Sequence, residues 1–203
     1  MAGEAFEAAI PAAAAGLPDR FAFAGGGRSR NPLLHASVAD GLTPERSDDL
    51  EAMAAQLALD GTVAFGELTA LHLSFQSQHP FFEAPPDHPA FLLMADLAAQ
   101  HGVPIDLHME EAVTDKPTPP LLLQRSALNP TTLSATIDAL ERILSHNRSG
   151  SIVWAHVGWD NTGDMTVELL ESLLEDHPNL FLQVLMCGDI VPMFREHAPL
   201  GIA

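Results

Sequence analysis

The chain has 203 residues, of which 47% are hydrophobic, and this composition predicts one sizeable core and a single domain over residues 1–203. Its 27 acidic residues outnumber the 9 basic ones and give a formal net charge of −18. A field of that sign repels phosphate backbones and anionic membrane surfaces, so nucleic acid and membranes are poor candidates for partners.

The cysteine content and the lack of targeting signals limit the kinds of metal site and the cellular locations that the sequence supports. The single cysteine, Cys187, excludes an intrachain disulfide and a thiolate zinc cluster. The sequence has no apolar run of the roughly 18 residues that a membrane-spanning helix needs, and its N-terminus lacks the basic stretch of a signal peptide. We therefore expect a cytoplasmic protein, although residues preceding Met1 in a longer chain would change that expectation.

Short apolar runs alternate along the chain with helical patterns that end at glycine or proline. In chain order they predict five strands, at 21–25, 62–67, 103–108, 151–156 and 180–186. The helices predicted between them lie at 47–59, 90–100, 131–145 and 164–175. Repeated strand–helix–strand units predict an α/β fold whose parallel strands are neighbours in chain order.

The placement of polar residues distinguishes a barrel from an open nucleotide-binding sheet. The glycine run at 25–27 does not fit G-x-G-x-x-G, and we expect a long loop there. Glu67, His108 and His156 each follow a different predicted strand, at the end where barrel enzymes build their active sites. We therefore expect a partial (β/α)₈ barrel of the TIM type.

His108 is the first candidate metal ligand. The alternation of strand side chains places Asp106, His108 and Glu110 on one face. A buried polar face needs partners, and a metal ion is one such partner. A structural histidine bonded to a backbone carbonyl is the alternative. Glu110 is a candidate for substrate binding.

His156 closes an apolar strand and precedes a polar loop in which Gly158 permits a sharp turn. We expect His156 to bind metal or to act in acid–base catalysis. Asp160 is a second catalytic candidate, with ordinary turn chemistry as the alternative. Trp159 in the same loop is a candidate substrate contact.

Glu67 is a candidate carboxylate for bridging metals or orienting a histidine ligand, and the alternative is an exposed glutamate at a strand end. Three histidines, His72, His79 and His88, fall in the predicted loop that follows, and His72 is the preferred substrate contact. The sequence contains no G-x-S-x-G motif, so a serine nucleophile is poorly supported.

Residues 104–110 and 152–159 resemble the fifth and sixth strands of barrels in the amidohydrolase superfamily. Residues 21–24, 65–68 and 180–185 resemble the third, fourth and seventh strands. The resemblance covers nearly the whole chain. It implies that His108 is a metal ligand, that His156 is a second ligand or a general base, and that the cofactor is a divalent metal, most simply zinc.

Two features of the family are missing. The sequence has no His-x-His pair, and Asp189 comes too early to serve as the aspartate of an eighth strand. We therefore expect an incomplete barrel that lacks strands one, two and eight. Open strand edges predict a chain that is poorly stable or forms a homo-oligomer.

The resemblance implies hydrolysis of a small organic acid, amide, ester or lactone by metal-activated water. Decarboxylation at the same metal site is an alternative, and so is a non-catalytic remnant that associates with a partner chain. If the site forms, the reactive nitrogens of His108 and His156 should lie within roughly 3–6 Å of one another. Each histidine should direct its other ring nitrogen at a carboxylate or carbonyl.

Overall fold

The computed structural model describes Gly16, residues 20–76 and residues 79–184. In chain order its elements are β1 (Ala24–Gly26), α1 (Gly27–Asp40), α2 (Pro44–Leu59), β2 (Ala64–His72), β3 (Phe82–Glu83), α3 (Pro89–His101), β4 (Ile105–Met109), β5 (Lys116–Pro117), α4 (Pro120–Arg125), β6 (Thr132–Leu133), α5 (Ile137–His146), β7 (Ile152–Val157), α6 (Val167–Asp176) and β8 (Leu180–Val184). None of the described helices is both long and apolar enough to cross a membrane.

The main sheet has the order β1-β2-β4-β7-β8, and all four neighbouring pairs are parallel. The short β3 adds to β2 in the antiparallel sense, and β5 pairs with β6 in a separate two-stranded ribbon. The prediction of an α/β fold with five parallel strands, adjacent in chain order, is confirmed. Because these strands are parallel, their carboxyl ends meet at one edge of the sheet.

The core lies between the sheet and its helices. Phe65, Leu107 and Trp154 of the sheet are fully buried, as are Phe91 and Met94 of α3. The indole N–H of Trp154 donates a hydrogen bond of 2.7 Å to the carbonyl of Met109, which joins β7 to the end of β4. A smaller apolar cluster of Leu73, Leu122 and Leu133 lies under the loops that follow β2 and β4.

The long loop predicted at the glycine run is wrong, because a helix begins there directly. Gly26 adopts a left-handed conformation, with φ of 94°, and α1 starts at Gly27. A Cβ atom on Gly27 would lie 2.7 Å from the backbone nitrogen and oxygen of Glu67. The glycines therefore allow α1 to approach β2 closely. The sequence did not predict this helix, because its first turn contains glycine and polar residues such as Arg28.

Three helix starts differ from prediction by three residues or more, and the first is that of α2, which begins at Pro44 instead of residue 47. The helix expected at 131–145 begins only at Ile137, because Thr132–Leu133 pairs with β5. Asn129 does not cap it and instead accepts a hydrogen bond of 2.7 Å from the amide of Ser74. The helix expected at 164–175 begins at Val167, where the Thr166 hydroxyl caps the amide of Leu169.

Strand β2 is longer than predicted, because it pairs with β3 and reaches His72. His72 is therefore a strand residue and not a loop residue. The predicted last strand is confirmed as far as Val184. Its final two positions, together with Cys187 and Asp189, lie outside the described residues.

Candidate metal centre

Glu67 reaches the centre from the middle of β2, not from the strand end that the sequence suggested. The register between β2 and β4 shifts between Phe65 and Leu68, and the Gly66–Glu67 peptide bond is cis. A Cβ atom on Gly66 would lie 2.6 Å from the Cβ and carbonyl oxygen of Asp106. Only glycine lets β2 pass so close to β4 at this level.

Glu67, His108 and His156 come together at one point. Each offers a ligand atom, and these atoms all lie within 4.8 Å of one another. The Glu67 carboxylate oxygen Oε1 accepts hydrogen bonds from Nδ1 of His108 and, at 3.2 Å, from Nε2 of His156. The two ring centroids are 5.1 Å apart. The predicted convergence of the three side chains is confirmed.

The second ring nitrogens do not follow the prediction. Among the described residues, neither Nε2 of His108 nor Nδ1 of His156 has a hydrogen-bond partner. One carboxylate lies between the two rings, so Glu67 orients both histidines by itself.

His156 has an unusual backbone. Its φ is 60°, in the left-handed region that few residues other than glycine adopt. Gly158, with φ of 101°, completes the reversal of the chain after β7. Such conformations persist at functional sites when the surrounding structure fixes them. Here the reversal turns the imidazole of His156 back toward Glu67.

The charge on Glu67 suits a cation site. Burial alone would push the pKa of Glu67 up, but hydrogen bonds and charge from His108 and His156 outweigh it and hold that pKa below its usual value. The carboxylate is therefore ionised at neutral pH. Beside it, Oδ1 of Asp106 is buried and has no hydrogen-bond partner among the described residues. An unpartnered carboxyl oxygen next to three ligand groups fits a site for a positive ion.

The centre lies in a cleft of about 1110 Å³. Residues from α1, the main sheet and the loops after β2 and β7 line it, among them Gly27, Arg28, Asn31, Glu67, Thr69, His72, Phe75, Phe82, His108, Glu110, Glu111, His156, Trp159 and Asn161. Every predicted site residue except Asp160 lines this cleft.

His72 stands next to His108, with ring centroids 4.9 Å apart. Its Nδ1 lies 2.8 Å from the carbonyl of Pro80, and because a carbonyl only accepts, Nδ1 carries the proton. Burial, together with the neighbouring His108, lowers the pKa of His72 to about 4. The imidazole is therefore neutral at physiological pH, with Nε2 available as an acceptor.

Two adjacent carboxyl groups form another wall of the cleft. Both oxygens of Glu110 accept hydrogen bonds from the amide nitrogen of Asn161, at 3.0 and 2.9 Å. The hydroxyl of Thr162 donates to Oε1 of Glu111 at 2.6 Å. Burial, and then the nearby Asp160, raise the pKa of Glu111 to about 9, so this side chain is a neutral acid at physiological pH.

Sequence reasoning missed Glu111, because simple alternation assigns it to the apolar face of β4. The strand ends at Met109, and the alternation ends with it. It also missed Asn31, because the segment before it was taken for a loop. The available signal was the spacing of Gly27 and Asn31, which share one face of a helix.

The loop after β7 divides its residues between two roles. Trp159, 48% exposed, stands at the cleft, with its ring centroid 6.0 Å from that of Phe75. Asp160 is exposed, and its carboxylate accepts a hydrogen bond of 2.5 Å from the amide of Gly163. This is the turn chemistry that was the alternative to a catalytic role.

The two other histidines of the loop predicted after Glu67 differ in their surroundings. The ring of His79 lies against that of His72, with the centroids 4.3 Å apart and the planes tilted by 45°, whereas His88 caps α3.

Comparison of the chain with models of protein families, with curated proteins and with solved structures found no match. The chemistry of the cleft is therefore inferred from its own residues.

Proposed function

We propose that the chain is a metal-dependent hydrolase that acts on a small organic acid, amide, ester or lactone. The observation that carries this proposal is the convergence of Glu67, His108 and His156 in a cleft large enough for such a molecule. Cavities of several hundred cubic ångströms are typical of small-molecule sites. We also propose that the parallel sheet is part of a (β/α)₈ barrel, since its strands are neighbours in chain order and two of them carry His108 and His156 near their carboxyl ends.

The donor set fits zinc. Two imidazoles and one carboxylate form a set of three protein ligands, which in catalytic zinc sites leaves a further position open. The buried oxygen of Asp106, which has no hydrogen-bond partner among the described residues, is a further oxygen donor beside that set. When bound, zinc would supply Lewis-acid polarisation of a substrate oxygen and would make water more acidic.

The residues around the centre divide the remaining work. Neutral His72 accepts a hydrogen bond at Nε2, and neutral Glu111 offers a proton to a substrate oxygen. The alternative role of His156, as a general base that holds a substrate oxygen or moves a proton, would leave Glu67 and His108 as the protein ligands of the ion. Trp159 and Phe75 contribute apolar surface against which the body of a substrate packs.

Decarboxylation of an aromatic acid is the second candidate. Three aromatic side chains, Phe75, Phe82 and Trp159, line the cleft, and offset packing against rings favours an aromatic substrate. Hydrolysis and decarboxylation would use the same centre and differ in the bond that breaks.

The test is an assay of the full chain, stripped of metal and then reloaded with zinc, against a panel of esters, amides, lactones and aromatic acids. Turnover should require zinc and should disappear in His108→Ala. The exposed His146→Ala serves as a control that keeps activity, because His146 lies at the end of α5 and bonds Asp96.

Release of carbon dioxide in place of a hydrolysis product would replace the first candidate by the second. Turnover that survives both metal removal and His108→Ala would overturn both. No turnover of any panel member would favour the non-catalytic alternative.

A further inference from the structure

Asn31 of α1 is bonded to the backbone of β2 on both sides of Leu68. Its amide nitrogen donates to the carbonyl oxygen of Glu67 at 2.9 Å and lies 3.1 Å from the hydroxyl of Thr69. Its side-chain oxygen accepts a hydrogen bond of 2.9 Å from the amide of Thr69. One side chain thus fixes the two residues that flank Leu68.

These bonds fall beside a break in the regular pairing of β2 with β4. The register between β2 and β4 shifts between Phe65 and Leu68, so Glu67 does not occupy a regular rung of the ladder. The backbone of Glu67 is then held from the helix side. Gly27, one helical turn before Asn31, lets the helix come close enough for the hydrogen bonds to form.

The orientation of the Glu67 carboxylate depends on that backbone. Its carbonyl and its carboxylate belong to one residue, and the carboxylate must meet both His108 and His156 through a single oxygen. A small rotation of the Glu67 backbone would move this oxygen away from at least one ring.

We infer that Asn31 is a positioning residue for the metal centre: it holds Glu67 so that its carboxylate completes a binding set with His108 and His156. The inference rests on the proposed metal-binding function. Residues that orient metal ligands change affinity by about 10- to 100-fold when they are removed. A residue that served folding alone would leave zinc affinity unchanged in the folded chain.

The experiment is a competition titration of the metal-free full chain with zinc and a chromophoric chelator. Asn31→Ala should weaken zinc binding by about 10- to 100-fold. Thr69→Val removes one partner of Asn31 but keeps its bond to the Glu67 carbonyl, so its affinity should stay close to that of the unaltered chain. Cobalt provides a second readout, because its absorption spectrum should change in Asn31→Ala if the ligand geometry changes.

The matched control is Asn179→Ala. Asn179 is buried and also bonds two backbone carbonyls, those of Leu144 and Gly150, but it lies before β8 at the opposite end of the sheet. The Asn179→Ala variant should have a lower midpoint of urea unfolding and an unchanged zinc affinity.

The outcomes separate the two ideas. If the unaltered chain binds no zinc, the proposed function fails first. If the unaltered chain binds zinc and Asn31→Ala binds it equally well, the metal centre stands and the positioning role of Asn31 is overturned. The role is also overturned if Asn179→Ala, at equal loss of stability, weakens zinc binding as much as Asn31→Ala does.

Discussion

Side chains that share the cleft carry different charges, because each has different neighbours. The pKa of Glu67 lies below its usual value through two histidines, whereas burial raises the pKa of Glu111 to about 9. The groups that face Glu111 are Thr162, which donates to it, and the carboxyl groups of Glu110 and Asp160. A neutral acid and an ionised carboxylate therefore stand in one cleft, which is the separation that acid–base chemistry uses.

The raised pKa of Glu111 makes a prediction about stability and pH. Above the ordinary value of 4.5 the unfolded chain ionises Glu111, while the folded chain keeps the proton up to about 9. The contribution of Glu111 to folding is therefore complete at low pH and is lost as the pH rises through that interval. Glu111→Gln should flatten this fall when urea unfolding is measured across the interval. The exposed Glu171→Gln of α6 should leave it unchanged; parallel curves for Glu111→Gln and the unaltered chain would contradict the assignment.

The left-handed backbone of His156 predicts that one substitution at this residue can preserve the stability of the fold and still remove metal binding. Asparagine adopts this conformation readily, and strained conformations cost about 1–3 kcal/mol. His156→Asn should therefore keep or slightly raise the free energy of unfolding while it abolishes tight zinc binding. Chemical denaturation and zinc titration on the same sample measure both. A large loss of stability would show that the imidazole serves packing instead of the metal.

Contacts between whole elements set the distance between the ligands. Strands β2 and β4 lie so close together at Gly66 that a methyl group there would meet both the side chain and the backbone of Asp106. Helix α1 approaches β2 at Gly27 in the same way. The three ligands meet because glycines at these crossings remove the side chains that would hold the elements apart.

Gly66→Ala tests the strand contact. Overpacking of this kind costs about 1–3 kcal/mol, and the forced separation of β2 from β4 should also weaken zinc binding. The control is Gly41→Ala, since Gly41 likewise has an unusual backbone, with φ of 92°, but has no heavy atom within 4 Å of the added methyl. It should lose stability and keep zinc affinity. Equal zinc affinity in Gly66→Ala would show that strand separation does not control the centre.

Elements with apolar periodicity could be predicted from the sequence, and those set by close contact could not. The apolar runs of β4 and β7 predicted both the two strands and the histidines near their carboxyl ends. Helix α1 was missed because its first turn, which includes Arg28, is polar and its start depends on a left-handed glycine. The position of Glu67 inside β2 was missed for a related reason, since a register shift leaves no periodic signal.

Strands β1 and β8 form the two edges of the described sheet. Chain-order adjacency followed from the short strand–helix–strand connections. Closure into a barrel depends on partners for these edges, and local pattern carries no information about them. Exposed strand edges with apolar side chains favour association with another chain.

Self-association can be tested at the edge strand β8. Phe181 of β8 is 51% exposed, and we expect the chain to associate in a concentration-dependent manner through such edges. Phe181→Lys should shift sedimentation toward the monomer. The control Leu174→Lys changes a residue that is 42% exposed but belongs to helix α6 and has no place in the strand edge, so it should leave sedimentation unchanged. A monomer at all concentrations in the unaltered chain would contradict this expectation.

We propose that Glu67, His108 and His156 together bind one divalent ion. The most direct measurement is anomalous diffraction at the zinc edge from crystals of the full chain grown with zinc. Binding of one zinc ion by these three residues predicts a single strong peak at about 2.0–2.2 Å from one ligand atom of each residue, and no peak there in His108→Ala crystals. A difference map with no peak at these three residues, or with zinc bound only at another place such as His177 and Glu141, would contradict it.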